Sequence, residues 1–100
     1  MENKLSEIKK NSKEASKFLK SLGNETRLMI LCQLNKKESS VSELQKYTNL
    51  SQSALSQHLS VLRNENLVKT RRESQTIYYS LADDRAISII SVLNNFYCSI

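Results

Sequence analysis

One hundred residues suffice for one domain with its own core, and are too few for a spacious enclosed active site. Fifteen basic residues against ten acidic ones leave a net charge of +5, which favours a polyanion without separating nucleic acid from an acidic membrane. No apolar run approaches the roughly 20 residues that span a bilayer, and Met1-Glu2-Asn3-Lys4 leads into no apolar signal core. The chain is therefore expected in the cytoplasm, with no membrane partner and its two cysteines reduced most of the time.

Residues 3–22 read as a first helix, with Ala15, Phe18, Leu19 and Leu22 in an apolar stripe. Lys9, Lys10, Lys13 and Lys17 fall largely off that stripe, as ordinary solvated charge does; a DNA-contacting face is the sharper alternative. Gly23 stands where a helix commonly ends in a left-handed residue, and Asn24 can cap the next helix. That helix, Glu25 to Asn35, is apolar almost all round and is expected to be the central packing element. Lys36-Lys37-Glu38-Ser39-Ser40 reads as a polar loop.

Val41, Leu44 and Tyr47 then repeat at i, i+3, i+6, followed by a tight Asn49-Leu50 connection. Ser51 is a good N-cap for the next helix, in which Leu55, Leu59 and Leu62 share one face. Two short helices about such a turn predict a helix-turn-helix, the second being the recognition helix. The other face of that helix carries Ser53, Ser56, Gln57, Ser60 and Asn64, where Lys and Glu would make a better solvated helix. Short uncharged donors and acceptors suit base edges in a major groove, since Gln can pair with adenine and Ser can reach either kind of edge. The bland alternative is a Ser-rich exposed helix with no partner.

Leu67 to Arg72 and Thr76 to Leu81 are rich in β-branched and aromatic residues and flank Glu73-Ser74-Gln75, so they read as a hairpin. Helix-turn-helix followed by a basic hairpin is a winged helix, and the expected fold is mainly α with a small β-hairpin wing. The last helix begins near Asp83 or Asp84. Its Ala86, Ile89, Ile90, Val92, Leu93, Phe96, Tyr97 and Ile100 cover an arc of roughly 160°, wide enough to serve both a core and a partner subunit. A symmetric dimer through the terminal helices would set two recognition helices on successive major-groove faces of a dyad-symmetric operator. The whole span 1–100 is then one winged-helix domain with dimerisation helices at both ends.

Candidate DNA contacts are Gln52, Ser53, Ser56, Gln57, His58 and Ser60 on the recognition helix, with Lys69, Arg71 and Arg72 on the wing. The wing residues are either surface charge or ligands for phosphates and a minor groove. His58, the only histidine, borders the buried face, so a DNA-facing or locally hydrogen-bonded role is expected rather than catalysis. Cys32 lies in the apolar run, where a thiol usually acts as a small hydrophobe. Cys98 falls off the apolar arc, beside Ser91 and Asn94, where small reagents can reach it. Neither stands at a helix N-terminus, so the residues alone leave a structural pair and a reactive pair both open. No nucleophile, base and orienting group converge, so no enzyme and no cofactor are expected.

From Asn24-Glu25-Thr26-Arg27-Leu28 through Leu50-Ser51-Gln52-Ser53-Ala54-Leu55-Ser56-Gln57-His58-Leu59 to the wing, the chain resembles the ArsR/SmtB family of bacterial repressors. Ile30-Leu31-Cys32-Gln33-Leu34, Glu73-Ser74-Gln75-Thr76 and Phe96-Tyr97-Cys98 look most like its non-metal, thiol-based branch. That branch holds biofilm-associated and sulfide-responsive repressors and HlyU-type haemolysin regulators. The resemblance implies a homodimer on double-stranded DNA, with Cys32 and Cys98 as a redox-sensing pair open to oxidation or persulfidation. Metal-sensing relatives place a Cys-x-Cys pair at the third helix, where this chain has Val41-Ser42-Glu43-Leu44, or use histidines on the last helix, which has none. Soft and borderline metals need several Cys or His ligands, so no metal is expected. Two other functions stay open: a constitutive DNA-binding regulator with no thiol switch, and a winged helix that binds a protein instead of DNA.

Overall fold

The computed structural model describes residues 2–97. In order along the chain these form α1 (Glu2–Leu22), α2 (Glu25–Lys36), β1 (Ser39–Ser40), α3 (Val41–Thr48), α4 (Gln52–Asn64), β2 (Val68–Glu73), β3 (Thr76–Leu81) and α5 (Asp84–Tyr97). The three strands make one antiparallel sheet in the order β1-β3-β2. Cys98 and Ile100 lie outside the described residues.

The expected elements appear with local reasons for their ends. Asn24 Oδ1 accepts from the Arg27 N–H at 3.0 Å and starts α2. Gly23 closes α1, its N–H donating to the Lys20 carbonyl at 3.2 Å. The left-handed ending expected there is absent, because no described glycine has a positive φ. The position needs room instead: a Cβ on Gly23 would stand 3.2 Å from the Leu19 carbonyl oxygen. The left-handed residues are Asn49, Asn66 and Ser74, each in a turn between elements.

α2 is the hub, as its all-round apolar pattern predicts. It packs against α1, α3, α4, α5 and β3, and buries Ile30, Leu31, Cys32 and Leu34. Around it gather Leu44, Leu55, Leu59, Leu62, Leu67, Tyr79, Ala86 and Ile90, one continuous core.

The segment read as a polar loop is not all loop. Ser39 and Ser40 pair with Tyr79 and Tyr78 as β1, a strand too short to show in any hydrophobic period. Ser40 also forms a capping box for α3. Its Oγ accepts from the Glu43 N–H at 3.1 Å, and Glu43 Oε1 accepts from the Ser40 N–H at 2.9 Å.

The terminal helices keep much of their apolar surface uncovered. On α1, Phe18 and Leu22 pack inward, whereas Leu5, Ile8 and Leu19 are each more than half exposed. On α5, Ala86 and Ile90 are buried, but Phe96 and Tyr97 are 78% and 81% exposed. The radius of gyration is 15.3 Å, against about 13 Å for a compact chain of this length. A long first helix that packs only at its C-terminal end accounts for the difference.

Candidate nucleic-acid interface

α3, the turn and α4 form a rigid unit. Thr48 Oγ1 donates to the Leu44 carbonyl at 2.8 Å and accepts from the Leu50 N–H at 3.4 Å. Gln45 Nε2 donates to the Leu50 carbonyl at 3.3 Å, and Asn49 turns the chain at φ 57°. Ser51 Oγ then accepts from the Ala54 N–H at 3.2 Å, so α4 starts at the predicted cap. Leu55, Leu59 and Leu62 face the core. Gln52, Ser53, Ser56, Gln57 and Ser60 are all exposed, and His58 is half-buried at the edge of the apolar face. The helix is thus fixed from behind, with an uncharged hydrogen-bonding surface in front.

The wing is a two-residue hairpin with Glu73 paired to Thr76 across Ser74-Gln75. Its register is uninterrupted, so side chains alternate strictly between the two faces. Val68, Thr70 and Arg72 share a face with Leu81, Tyr79 and Ile77, the side on which the core closes. Lys69, Arg71 and Glu73 lie on the outer face with Tyr78. The three basic candidates are therefore divided, Lys69 and Arg71 on one side and Arg72 on the other.

Arg71 is closely engaged. Its Nε stands 2.9 Å from both carboxylate oxygens of Glu38, and its Nη2 is 2.7 Å from Glu38 Oε1. Nη1 bonds Glu73 Oε2 at 2.8 Å, and the guanidinium lies 4.6 Å from the centre of the Tyr78 ring. These bonds, Glu38 first, raise the Arg71 pKa still further, and the Arg71 hydrogen bond holds the Glu38 carboxyl below the ordinary glutamate value. Exposed single ion pairs contribute little to stability, but a bidentate fork within a network is the favourable exception. Sequence reading missed Glu38 because the pairing spans 33 residues and depends on strand β1. A cleft of about 330 Å³, lined by Ser40, Val41, Ser42, Gln52, Gln75, Thr76 and Ile77, separates the wing tip from the start of α4.

Cys32 is buried in α2, at 8% exposure. α5 packs along the same helix, and Asn35 Nδ2 donates to Ser91 Oγ at 3.4 Å across that seam. Among the described residues no three His, Cys, Asp or Glu side chains are grouped to hold a metal ion, and no helix is long and apolar enough to cross a membrane.

Comparison with known proteins fits this geometry. Residues 24–70, from the Asn24 cap to the first half of the wing, match the family model described as "Bacterial regulatory protein, arsR family". The transcriptional activator HlyU of Vibrio cholerae is 49% identical over 94 residues, covering 94% of this chain and 87% of that protein. The solved structure of reduced HlyU superposes with a TM-score of 0.90 at 48% identity, covering 93% of this chain and 98% of that one. A biofilm growth-associated repressor of Agrobacterium fabrum is 40% identical over 92 residues, 92% of this chain and 79% of the repressor. A homodimeric winged helix-turn-helix DNA-binding domain from Mycobacterium bovis superposes with a TM-score of 0.78 at 25% identity, over 89% of this chain and 82% of that one. The winged helix, the recognition-helix string and these relatives lead to one assignment: the chain belongs to the ArsR family of DNA-binding transcriptional regulators.

Proposed function

We propose that the protein is a homodimer that binds a dyad-symmetric operator in double-stranded DNA in the cytoplasm, and that oxidation or persulfidation of Cys32 and Cys98 weakens that binding. The observation that carries the DNA reading is the front of α4, where Gln52, Ser53, Ser56, Gln57 and Ser60 are exposed and uncharged on a helix fixed from behind. Such a surface serves base edges better than it serves solvent. His58 stands at its margin, and the wing beside it carries the basic side chains of Lys69, Arg71 and Arg72. The dimer reading rests on Leu5, Ile8, Leu19, Phe96 and Tyr97, apolar side chains left uncovered on α1 and α5. The full span 1–100 then works as one domain whose terminal helices join it to its copy.

The thiol switch rests on the similarity to HlyU, a protein characterised in a reduced form, and on the packing of α5 along α2. A link between Cys32 and Cys98 would tie the dimerising helix to the helix that supports α3 and α4. A peroxide takes up the two electrons and two protons that the thiols lose on forming a disulfide, whereas a low-molecular-weight persulfide passes its outer sulfur to one thiol and leaves as a thiol itself. If the linked form misaligns the two recognition helices, affinity falls by the difference in stability between the two states. The burial of Cys32 favours a second reading, a constitutive regulator in which that thiol is only a small core side chain.

The deciding experiment uses a duplex operator selected from a random-sequence pool. Binding is compared for reduced, peroxide-treated and persulfide-treated protein, alongside Cys32→Ser and Cys98→Ser. The switch requires both variants to bind when reduced and neither to respond to treatment. A single variant that still releases DNA normally on treatment removes the two-thiol mechanism. Equal binding by all treated wild-type samples leaves the constitutive regulator.

A further inference from the structure

The two neighbouring arginines of the wing have different surroundings. Arg71 is held on the outer face with all three guanidinium nitrogens on carboxylates, two on Glu38 and one on Glu73, and its ring-facing surface over Tyr78. One positive charge between two negative ones presents no net positive charge to a phosphate. To bind DNA, Arg71 would have to leave a bidentate carboxylate for a phosphate of similar geometry, an exchange with little to gain. Arg72 makes no ion pair among the described residues. It shares a face with Val68 and Thr70, opposite Leu81, Tyr79 and Ile77, the side on which the core closes and α4 packs against β2. Ile77 is among the residues lining the cleft that reaches Gln52 at the first turn of α4. The face of the wing that bears Arg72 is thus the face turned towards the recognition helix.

We propose that Arg72 is the wing's arginine contact to DNA, and that Arg71 is a positioning residue which, through Glu38 and Glu73, fastens the wing to the segment entering α3. The inference rests on the DNA-binding reading and deepens it. Glu38 immediately precedes β1, and Ser40, two residues on, both pairs with Tyr78 and caps α3. The Glu38–Arg71 fork therefore joins the hairpin to the entrance of the helix-turn-helix and fixes the angle between its two DNA-facing parts.

Counterion release distinguishes the two roles. Each phosphate neutralised on duplex DNA contributes about 0.9 to the slope of log affinity against log salt, so losing one contact from each of two wings lowers the slope by close to 2. Arg72→Gln alters an exposed side chain with no recorded ion pair, and should lower the slope by about that amount while lowering affinity. Arg71→Lys keeps the charge but loses the fork, so it should weaken binding with the slope unchanged. The exchange Glu38→Arg with Arg71→Glu keeps the total charge and the pair; it should retain the wild-type slope and recover most of the affinity lost in either single variant. The proposal is overturned if Arg72→Gln keeps the wild-type slope, or if the exchanged pair loses it. It is equally overturned if Arg71→Lys binds as wild type, since lysine can serve a phosphate as a point charge. Failure of the DNA-binding reading itself looks different: the wild type would show no salt-dependent binding to duplex DNA at all.

Discussion

Gln57 stands one helical turn beyond Ser53 on the exposed front of α4, and like Gln52 at the first turn it offers both a donor and an acceptor at the end of a long stem. Gln57→Ala should lower operator affinity by about 1–3 kcal/mol and relax the preference at one base pair, the effect of losing a bidentate base contact. Isotherms on a panel of singly substituted duplexes would measure this; unchanged affinity and unchanged preference would mean that the face reads no bases. Ser40 offers a stability counterpart. Ser40→Ala removes the capping box of α3 and should cost about 1 kcal/mol in chemical denaturation. Acid acts on the same neighbourhood. Hydrogen bonds from Arg71 to Glu38, from the Ser40 backbone to Glu43 and from Arg85 to Asp83 lower the pKa of each carboxyl in the fold. The unfolded chain therefore binds more protons than the folded one below the ordinary carboxylate values. The stability these groups contribute is complete above those values and is lost as pH falls through their lowered ones. Thermal melts between neutral and acidic pH should show the loss, and Glu38→Gln should flatten it.

The elements differed in how much of themselves they showed in advance. α4 was legible because a cap, a leucine period and a polar face all agreed on one helix. The hairpin and the place of its turn were legible from β-branched and aromatic residues on either side of Glu73-Ser74-Gln75, although the turn's backbone conformation was not. Ser74 takes φ 56° as the first of two turn residues, a position that suits glycine and gives no signal when serine fills it. Ser74→Gly should stabilise the protein by roughly 0.5–1 kcal/mol, because the left-handed backbone no longer strains a Cβ; a raised unfolding midpoint would show it. β1 could not be seen, since two residues make no period and only β3 supplies their partners. The separation of Arg71 from Arg72 was available from alternation alone, because consecutive strand residues point to opposite faces. What alternation could not reveal was Glu38, which reaches Arg71 only once β1 has joined the sheet.

For the whole molecule, the proposed homodimer rests on the uncovered apolar residues of α1 and α5. Phe96→Glu and Leu19→Glu should each turn the dimer into a monomer in sedimentation while leaving the helical content intact. Operator affinity should fall with them, since one half-site supplies only part of the contacts. A wild type that sediments as a monomer at micromolar concentration would remove the basis for dyad-symmetric recognition. The sequence showed the α5 residues through the width of their arc, more apolar surface than one small core can use, and Leu19 through the α1 stripe, whereas Leu5 and Ile8 fell outside that stripe. Which part of the arc turns inward needed the fold, because Ala86 and Ile90 are buried against α2 while Phe96 and Tyr97 extend beyond it.

β2 is an outer strand of the sheet, and beyond Ile77 no third strand among the described residues lies beside the hairpin. An outer strand is a template on which another copy of the chain can pair, and lysine or arginine along it is the usual guard. Lys69, Arg71 and Arg72 occupy three of the six positions of β2, so basic side chains guard half of that edge and keep wings of separate molecules apart. Replacing all three with threonine, a good strand former, would leave the edge without its basic residues. Such a protein should scatter light increasingly with concentration when free in solution, whether or not DNA is ever added.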